Sequence, residues 1–252
     1  MIWLKTKYVL LLLVLLAAVL VSAVGTEVDL AKFGSAANMI AFIGERWLPP
    51  DWSVLPSALR MTAVTLEIAF LGTFLAVVAA LPLSFLAAKN MAPPFIYNIT
   101  RALLSFLRSV PEIVFGLIFV VVVGLGPFPA VLAIILHNIG VLGKLVSELV
   151  EASERGPQEA LRSVGATRPM IALYGILPQL VPHILSNYFY RLEVAVRTSL
   201  ILGLIGAGGI GQQLFLHFKL FQYEKVAVDV LAIMALVVAI DYCSAWIRSR
   251  VI

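Results

Sequence analysis

EALRSVGATRPMIALYGILPQ, residues 159–179, is a polar, helix-favouring interruption in a chain that is otherwise mostly apolar. Glu159, Arg162, Ser163 and Arg168 sit between runs that carry few charges, and the stretch closes at Leu177-Pro178. Arg155-Gly156-Pro157 just before it is expected to release the preceding helix, because Gly is flexible and a residue before Pro avoids helical geometry. A new short helix is expected to start at Pro157, with Glu159 in the first turn favouring the positive end of its dipole. Its small residues Ala160, Gly165 and Ala166 would let another backbone approach closely, and Leu161 and Val164 would offer an apolar edge. Such a helix suits docking into a partner's groove, and it equally suits an ordinary loop helix packing on its own bundle.

The composition around it is that of an integral membrane protein. Hydrophobic residues make up 62% and charged residues 13% of 252, and the mean hydropathy is +1.03. Soluble domains hold about 45–50% apolar and about 25% charged residues. The apolar runs are long and continuous, which selects helices over barrel strands. The expected class is therefore all-α integral membrane.

Outward from the interruption, a fourth span covers residues 130–150 and a fifth runs from about 170 to 205. Before them lie an apolar run over 8–24 behind Lys5 and Lys7, a second span over 61–88 and a third, read as one helix, over 95–125. The first run ends in Val21-Ser22-Ala23-Val24-Gly25, which resembles a signal-peptide cleavage site, but its length fits an uncleaved span. Residues 27–51 place Leu30, Phe33, Met39, Ile40, Phe42 and Ile43 among charges, as in an interfacial helix closed by Trp47 and Pro49-Pro50. A polar and aromatic loop with Lys219 and Lys225 leads to a last span over 226–247. The domains are thus 1–58, an N-terminal span plus interfacial helix, and 59–252, the main membrane domain, with its loop at 151–178.

An even number of spans puts both termini on one side. That side would hold Lys5, Lys7, Lys89, Arg101, Arg155, Arg162, Arg168, Arg248 and Arg250, against Lys32, Arg46, Arg60, Lys219 and Lys225 on the other. The positive-inside rule makes the first side, and the interruption with it, cytoplasmic. The net charge of +4 is accordingly a topology signal, and no clustered basic surface argues for nucleic acid.

Glu159, Ala160, Gly165, Leu177 and Pro178 fall in register with the Glu-Ala-Ala, three residues, Gly, nine residues, Ile, one residue, Leu-Pro arrangement. This resembles the EAA loop of bacterial ABC-importer permeases; Leu161 replaces the second Ala, and Gly175 stands where Ile is expected. The likeness extends from about residue 59 to 252. Arg108-Ser109-Val110-Pro111 and Gly206-Ala207-Gly208-Gly209-Ile210-Gly211 resemble the methionine-importer type. Val123-Gly124-Leu125-Gly126-Pro127-Phe128, Tyr174-Gly175-Ile176-Leu177-Pro178-Gln179 and Tyr190-Arg191-Leu192-Glu193 are similar to the permease subunit of phosphonate importers, whose Gly variant accounts for Gly175.

The resemblance implies a six-helix permease bundle of the type I importer fold in a bacterial inner membrane. It would carry phosphonate or a related phosphorus oxyanion such as phosphite or phosphate. Glu159, Ala160, Leu161, Gly165, Ala166, Leu177 and Pro178 would then form a cytoplasmic coupling helix and its flank. The implied partners are two ATP-binding subunits, a periplasmic or lipid-anchored binding protein, a second copy of the chain and the lipid bilayer. The chain itself has no Gly-x-x-x-x-Gly-Lys-Ser/Thr loop, so ATP and Mg would be bound by the partner ATPase and none by this chain. Alternatives are a methionine-type amino-acid importer and, from a different class, a self-contained carrier or membrane enzyme.

Charges at membrane depth cost about 2.5–3.5 kcal/mol on insertion scales and usually pair or face a cavity. Arg108 with Glu112 and Glu193 with Arg197 are four apart, as in helical pairs. The readings are a polar lining for an oxyanion, with Arg191 or Arg197 leading, and internal pairing, which the spacing favours; Arg191 is the charge left over. His137-Asn138 reads as a hydrogen-bonded core pair, and Asp229 and Asp241 as water-reachable span ends. Gly206, Gly208, Gly209 and Gly211 follow a membrane helix instead of a strand, which argues against dinucleotide binding. They suit a flexible turn at the mouth of a pathway or simple helix termination. One cysteine, Cys243, excludes a thiolate metal site and reads as packing; no metal site or catalytic arrangement is expected.

Overall fold

The computed structural model describes residues 2–28 and 36–251. All the regular elements among them are helical. The chain divides into two units, Met1–Leu48 and Pro49–Ile252. In the first, α1 (Ile2–Gly25) is apolar, exposed along its described side chains except the half-buried Ala23, and long enough to cross a bilayer. Of the expected interfacial stretch, Leu30 and Phe33 lie outside the described residues, and its later part forms the amphipathic α2 (Ala36–Arg46).

The second unit opens with Asp51, whose carboxylate accepts from Ser53 N at 3.0 Å and caps a 3-10 turn, Trp52–Val54. The Ser53 side chain first, and its backbone N–H second, hold the Asp51 carboxyl below the usual range by hydrogen bonding. The turn leads into α3 (Leu55–Leu86), whose 32 residues span about 48 Å. This exceeds the roughly 30 Å hydrocarbon core, so the helix tilts or projects beyond it.

The expected third span is not one helix. It is α4 (Pro94–Ser109) and α5 (Glu112–Val123), bent by 85°. Pro111 has no N–H and disfavours helical geometry at the residue before it, and Val110 is extended (φ −84°, ψ 121°). Among the described residues, five helical stretches are long and apolar enough to cross a membrane, or six if this bent pair is one span.

After a reversal at Gly124 and Gly126, α6 (Pro127–Ala152) forms the spine of the unit. Ile134 packs directly over Gly72 of α3, and α4 closes on α6 at Gly140 and Gly143. Ile68, Phe115, Val131, Ile134, Leu192 and Val196 bring α3, α5, α6 and the later helix α9 (Leu177–Leu204) into one core. These glycines allow backbones to approach where lipid offers little hydrophobic drive for helix association.

Beyond α6 lie α7 (Arg155–Ser163), a single turn α8 (Arg168–Met170), a π-helical segment Ile171–Ile176 and α9 (Leu177–Leu204). The segment expected as a polar and aromatic loop is mostly helix: α10 (Gly209–Lys219) precedes α11 (Tyr223–Val251). It packs against α9 and α3, support that hydropathy does not report. Cys243 on α11 is exposed, so its expected packing role is not borne out.

A Cβ at Gly140 would lie 2.5 Å from Arg108 N and 2.9 Å from Leu104 O, whereas one at Gly143 would meet only the Leu104 side chain. Gly140→Ala is expected to destabilise by about 1–3 kcal/mol and Gly143→Ala by less. Paired thermal melts of the purified variants in detergent check this; equal melting points would contradict the close approach of α4 to α6.

Candidate functional site

The C-terminal end of α6 is anchored before the chain leaves it. Val150 O accepts from Asn90 Nδ2 at 3.1 Å and from Ser153 Oγ at 2.7 Å. Glu151 Oε1 accepts from Lys89 N at 2.8 Å and pairs with Arg101 at 3.1 Å. Ser153 is extended, and α7 starts at Arg155, so Arg155-Gly156-Pro157 lies in its first turn instead of releasing α6. Proline is tolerated there because first-turn N–H groups have no intrahelical acceptor.

Two glutamines fasten α7 to its surroundings. Buried Gln158 donates to Ser153 Oγ and Glu154 O, both at 3.0 Å, and Glu154 N donates to Gln179 Oε1 at 3.1 Å. Sequence reasoning missed both glutamines; the available signal was that Gln158 shares a helix face with Leu161, three residues on. The strongly amphipathic α7 thus turns Gln158 and Leu161 inward and leaves Glu159, Ala160 and Arg162 exposed.

Leu161 is a correction to the expected apolar docking edge. It packs with Ala166 and Leu177 against the buried Val150, Ile171 and Ile176, leaving only Val164, 78% exposed, pointing out. The two departures from the loop pattern meet here: Leu161 Cδ1 is 3.0 Å from where a Cβ on Gly175 would stand. Bulk removed at 175 is restored from 161. Gly165 has φ +80° and open space around it, so its role within the chain is conformational. It closes α7, with Gly165 N donating to Arg162 O and Ala166 N to Leu161 O, each at 3.0 Å. Pro178 is exposed at the start of α9, directly after the π-helical segment.

The membrane-depth charges pair differently from the sequence expectation. Arg108 and Glu112 do not pair, because the Pro111 break puts them on different helices; Arg108 is exposed with no ion-pair partner among the described residues. Glu112 instead meets Arg191 at 3.5 Å and His137 Nε2 at 3.3 Å. Arg191 is therefore not left over: it is buried, and Nε donates to Asn138 Oδ1 at 2.9 Å. His137 and Asn138 are hydrogen-bonded, as expected, His137 through Val110 O at 3.0 Å. Glu193 and Arg197 do pair, at 2.9 Å, and Asp241 and Arg248 extend the group at 2.8 and 3.6 Å. Asp229 is not water-reachable; it is 0% exposed and bound to His217 and Gln213 at 2.6 and 2.8 Å.

The glycine cluster is a tight reversal with little freedom. Gly206, Gly208 and Gly209 take φ of 91°, 82° and 71°, and Gly126 N donates to Gly206 O at 3.0 Å. Gly211 lies within α10, where a Cβ would stand 2.1 Å from Leu200 O.

A family model described as binding-protein-dependent transport system inner membrane component matches residues 80–252. The chain is similar to the phosphite transport system permease protein PtxC of Stutzerimonas stutzeri, 41% identical over 84% of this chain and 77% of that protein. It is also similar to the phosphate-import permease protein PhnE of Mycolicibacterium smegmatis, 37% identical over 92% of this chain and 44% of that protein. Among solved structures, inward-facing MetNI methionine ABC transporter aligns at TM-score 0.70 and 22% identity, over 80% of this chain and 99% of that one. That likeness establishes the type I importer permease fold.

The contact between the two departures is testable as a cycle. Leu161→Ala and Gly175→Ile are each expected to lower the melting temperature, the first by leaving a gap and the second by overfilling it. The double variant is expected to recover part of the loss, with a coupling of roughly 0.5–3 kcal/mol. Additive losses in thermal unfolding would contradict the compensation.

Proposed function

The chain belongs to the family of binding-protein-dependent transport system inner membrane components, and we propose that it forms the pathway for phosphite, phosphonate or a related phosphorus oxyanion in an ATP-driven importer. The names of its relatives support the substrate class.

The observation that carries the coupling role is the outward face of α7. Glu159, Ala160, Arg162 and Val164 are exposed there, and the two charged residues have no partner within the chain among the described residues. The same segment is held to α6 and α9 through Ser153, Gln158 and Gln179. A force applied to that face would pass into both helices without first melting a loop. Two ATP-binding subunits, which supply ATP and Mg, dock there on the cytoplasmic side. A periplasmic or lipid-anchored binding protein delivers substrate at the opposite end. Both termini are cytoplasmic, consistent with six spans when the bent pair counts as one. Nucleotide and loaded binding protein drive the cycle only by binding its two states unequally.

A second copy of the chain completes the pathway. Arg108 N lies beside Gly140, midway along α6, yet the Arg108 side chain and Ser109 are exposed. An unpaired cation at that depth cannot face lipid without a large penalty. Covering the α4–α5 face with a second copy removes the problem and encloses a polar route.

Ala160→Trp alters only the exposed face of α7, so the permease is expected to fold while losing about tenfold or more in ATPase association and phosphite uptake. Co-purification and uptake in reconstituted vesicles check this. Unchanged association with unchanged transport would overturn the coupling role.

A further inference from the structure

The α4–α5 break, α6 and α9 bring four polar side chains together midway through the main unit, and their protons and charges do not balance. Val110 O can only accept, so His137 Nδ1, 3.0 Å away, carries a hydrogen. The other ring nitrogen, Nε2, lies 3.3 Å from Glu112 Oε1. With Nδ1 protonated, a neutral ring would aim a lone pair at a carboxylate. The contact is attractive only when one further proton sits between His137 and Glu112. Arg191, always protonated, is a buried cation, and it shares its one anionic neighbour among the described residues, Glu112 at 3.5 Å, with His137.

Two further features of the same place favour an anion. Asn138, 1% exposed, gives its Oδ1 to Arg191 while its Nδ2 has no hydrogen-bond partner. Glu112 is the first residue of α5, so its carboxylate lies at the positive end of a helix that begins inside the bundle. The Glu112 side chain, 23% exposed, is the most open of the group, and exposed Arg108 and Pro111 flank it. Buried donors, an orphan amide and an excess positive charge are what a small oxyanion requires, and Glu112 occupies the place that it would take.

We infer that Arg191 and Asn138 form a transient binding site for a phosphorus oxyanion inside the membrane unit, which Glu112 fills when no substrate is present. The incoming oxyanion accepts from the Arg191 guanidinium and from Asn138 Nδ2. Glu112 swings away and stays paired with protonated His137, so no bare carboxylate is stranded. The resident carboxylate keeps the site weak, which lets substrate leave again. This rests on the transport reading above and adds to it a place within the chain where the substrate is held.

The test uses the full complex of permease, ATPase and binding protein in vesicles. Glu112→Gln/Arg191→Gln removes both charges together, which a merely structural pair tolerates better than the loss of one partner. The complex is expected to assemble yet take up labelled phosphite at least about tenfold more slowly. Glu112→Gln alone, with no binding protein, is expected to bind inorganic phosphite at least about tenfold more tightly than the wild type by equilibrium dialysis. That single variant decides the matter if the double variant does not assemble. Uptake by the double variant within roughly twofold of wild type, or unchanged phosphite binding by Glu112→Gln, overturns the site. A wild-type complex that imports neither phosphite, phosphate nor methylphosphonate would overturn the transport reading itself, which separates the two failures.

Discussion

Freed from its helix by Pro111, the carbonyl of Val110 accepts from His137 Nδ1 at 3.0 Å. The same requirement governs every break in the main unit: inside hydrocarbon a backbone polar group has no water to turn to, so another protein group must meet it. At the glycine reversal, Gly126 N meets Gly206 O, and Thr65 Oγ1 accepts from Ile210 N at 2.9 Å. At the end of α6, Asn90 covers Val150 O, and Gln179 covers Glu154 N. Each covered break fixes the position of a neighbouring element. The first places Glu112 beside Arg191, the second seats α10 against α3 and α9, and the third sets α7 across the end of the bundle.

The short helix α7, proposed above as the coupling segment, depends on the same covering of breaks. α7 is only nine residues long and would be marginal alone. It persists because Gln158 and Leu161 are buried against the chain itself, which leaves its other faces free for a partner. The replacement of Ile by Gly at 175 and of Ala by Leu at 161 keeps that inner contact filled from the opposite side.

The apolar runs were legible in the sequence because hydrophobic length is a local property; residues 61–88 and 130–150 needed no tertiary information. The short helix over Arg155–Ser163 was legible as a polar, helix-favouring interruption between apolar runs. What failed depended on partners far along the chain. Glu112 was paired with Arg108 by counting four residues along one helix, but Pro111 outweighs apolar continuity there, and the true partner lies 79 residues away. Asp229 looked solvent-facing from its place near a span end, yet α10, itself unreadable from hydropathy, buries it under His217 and Gln213. Leu161 looked like an outward edge because nothing local reveals that Gly175 leaves room for it.

The proposed function requires the outward tip of α7 to lie against a nucleotide-hydrolysing subunit. Disulfide trapping tests it most directly, since Cys243 is the single native cysteine and is exposed, so Cys243→Ser supplies a clean background. Val164→Cys in that background, with single cysteines along the facing surface of the ATPase, is expected to give a permease–ATPase cross-link whose yield changes with nucleotide. A control cysteine at Leu125, beside the glycine reversal, is expected to give none. Equal cross-linking from both positions, or none from position 164 in an assembled and transporting complex, would contradict the account.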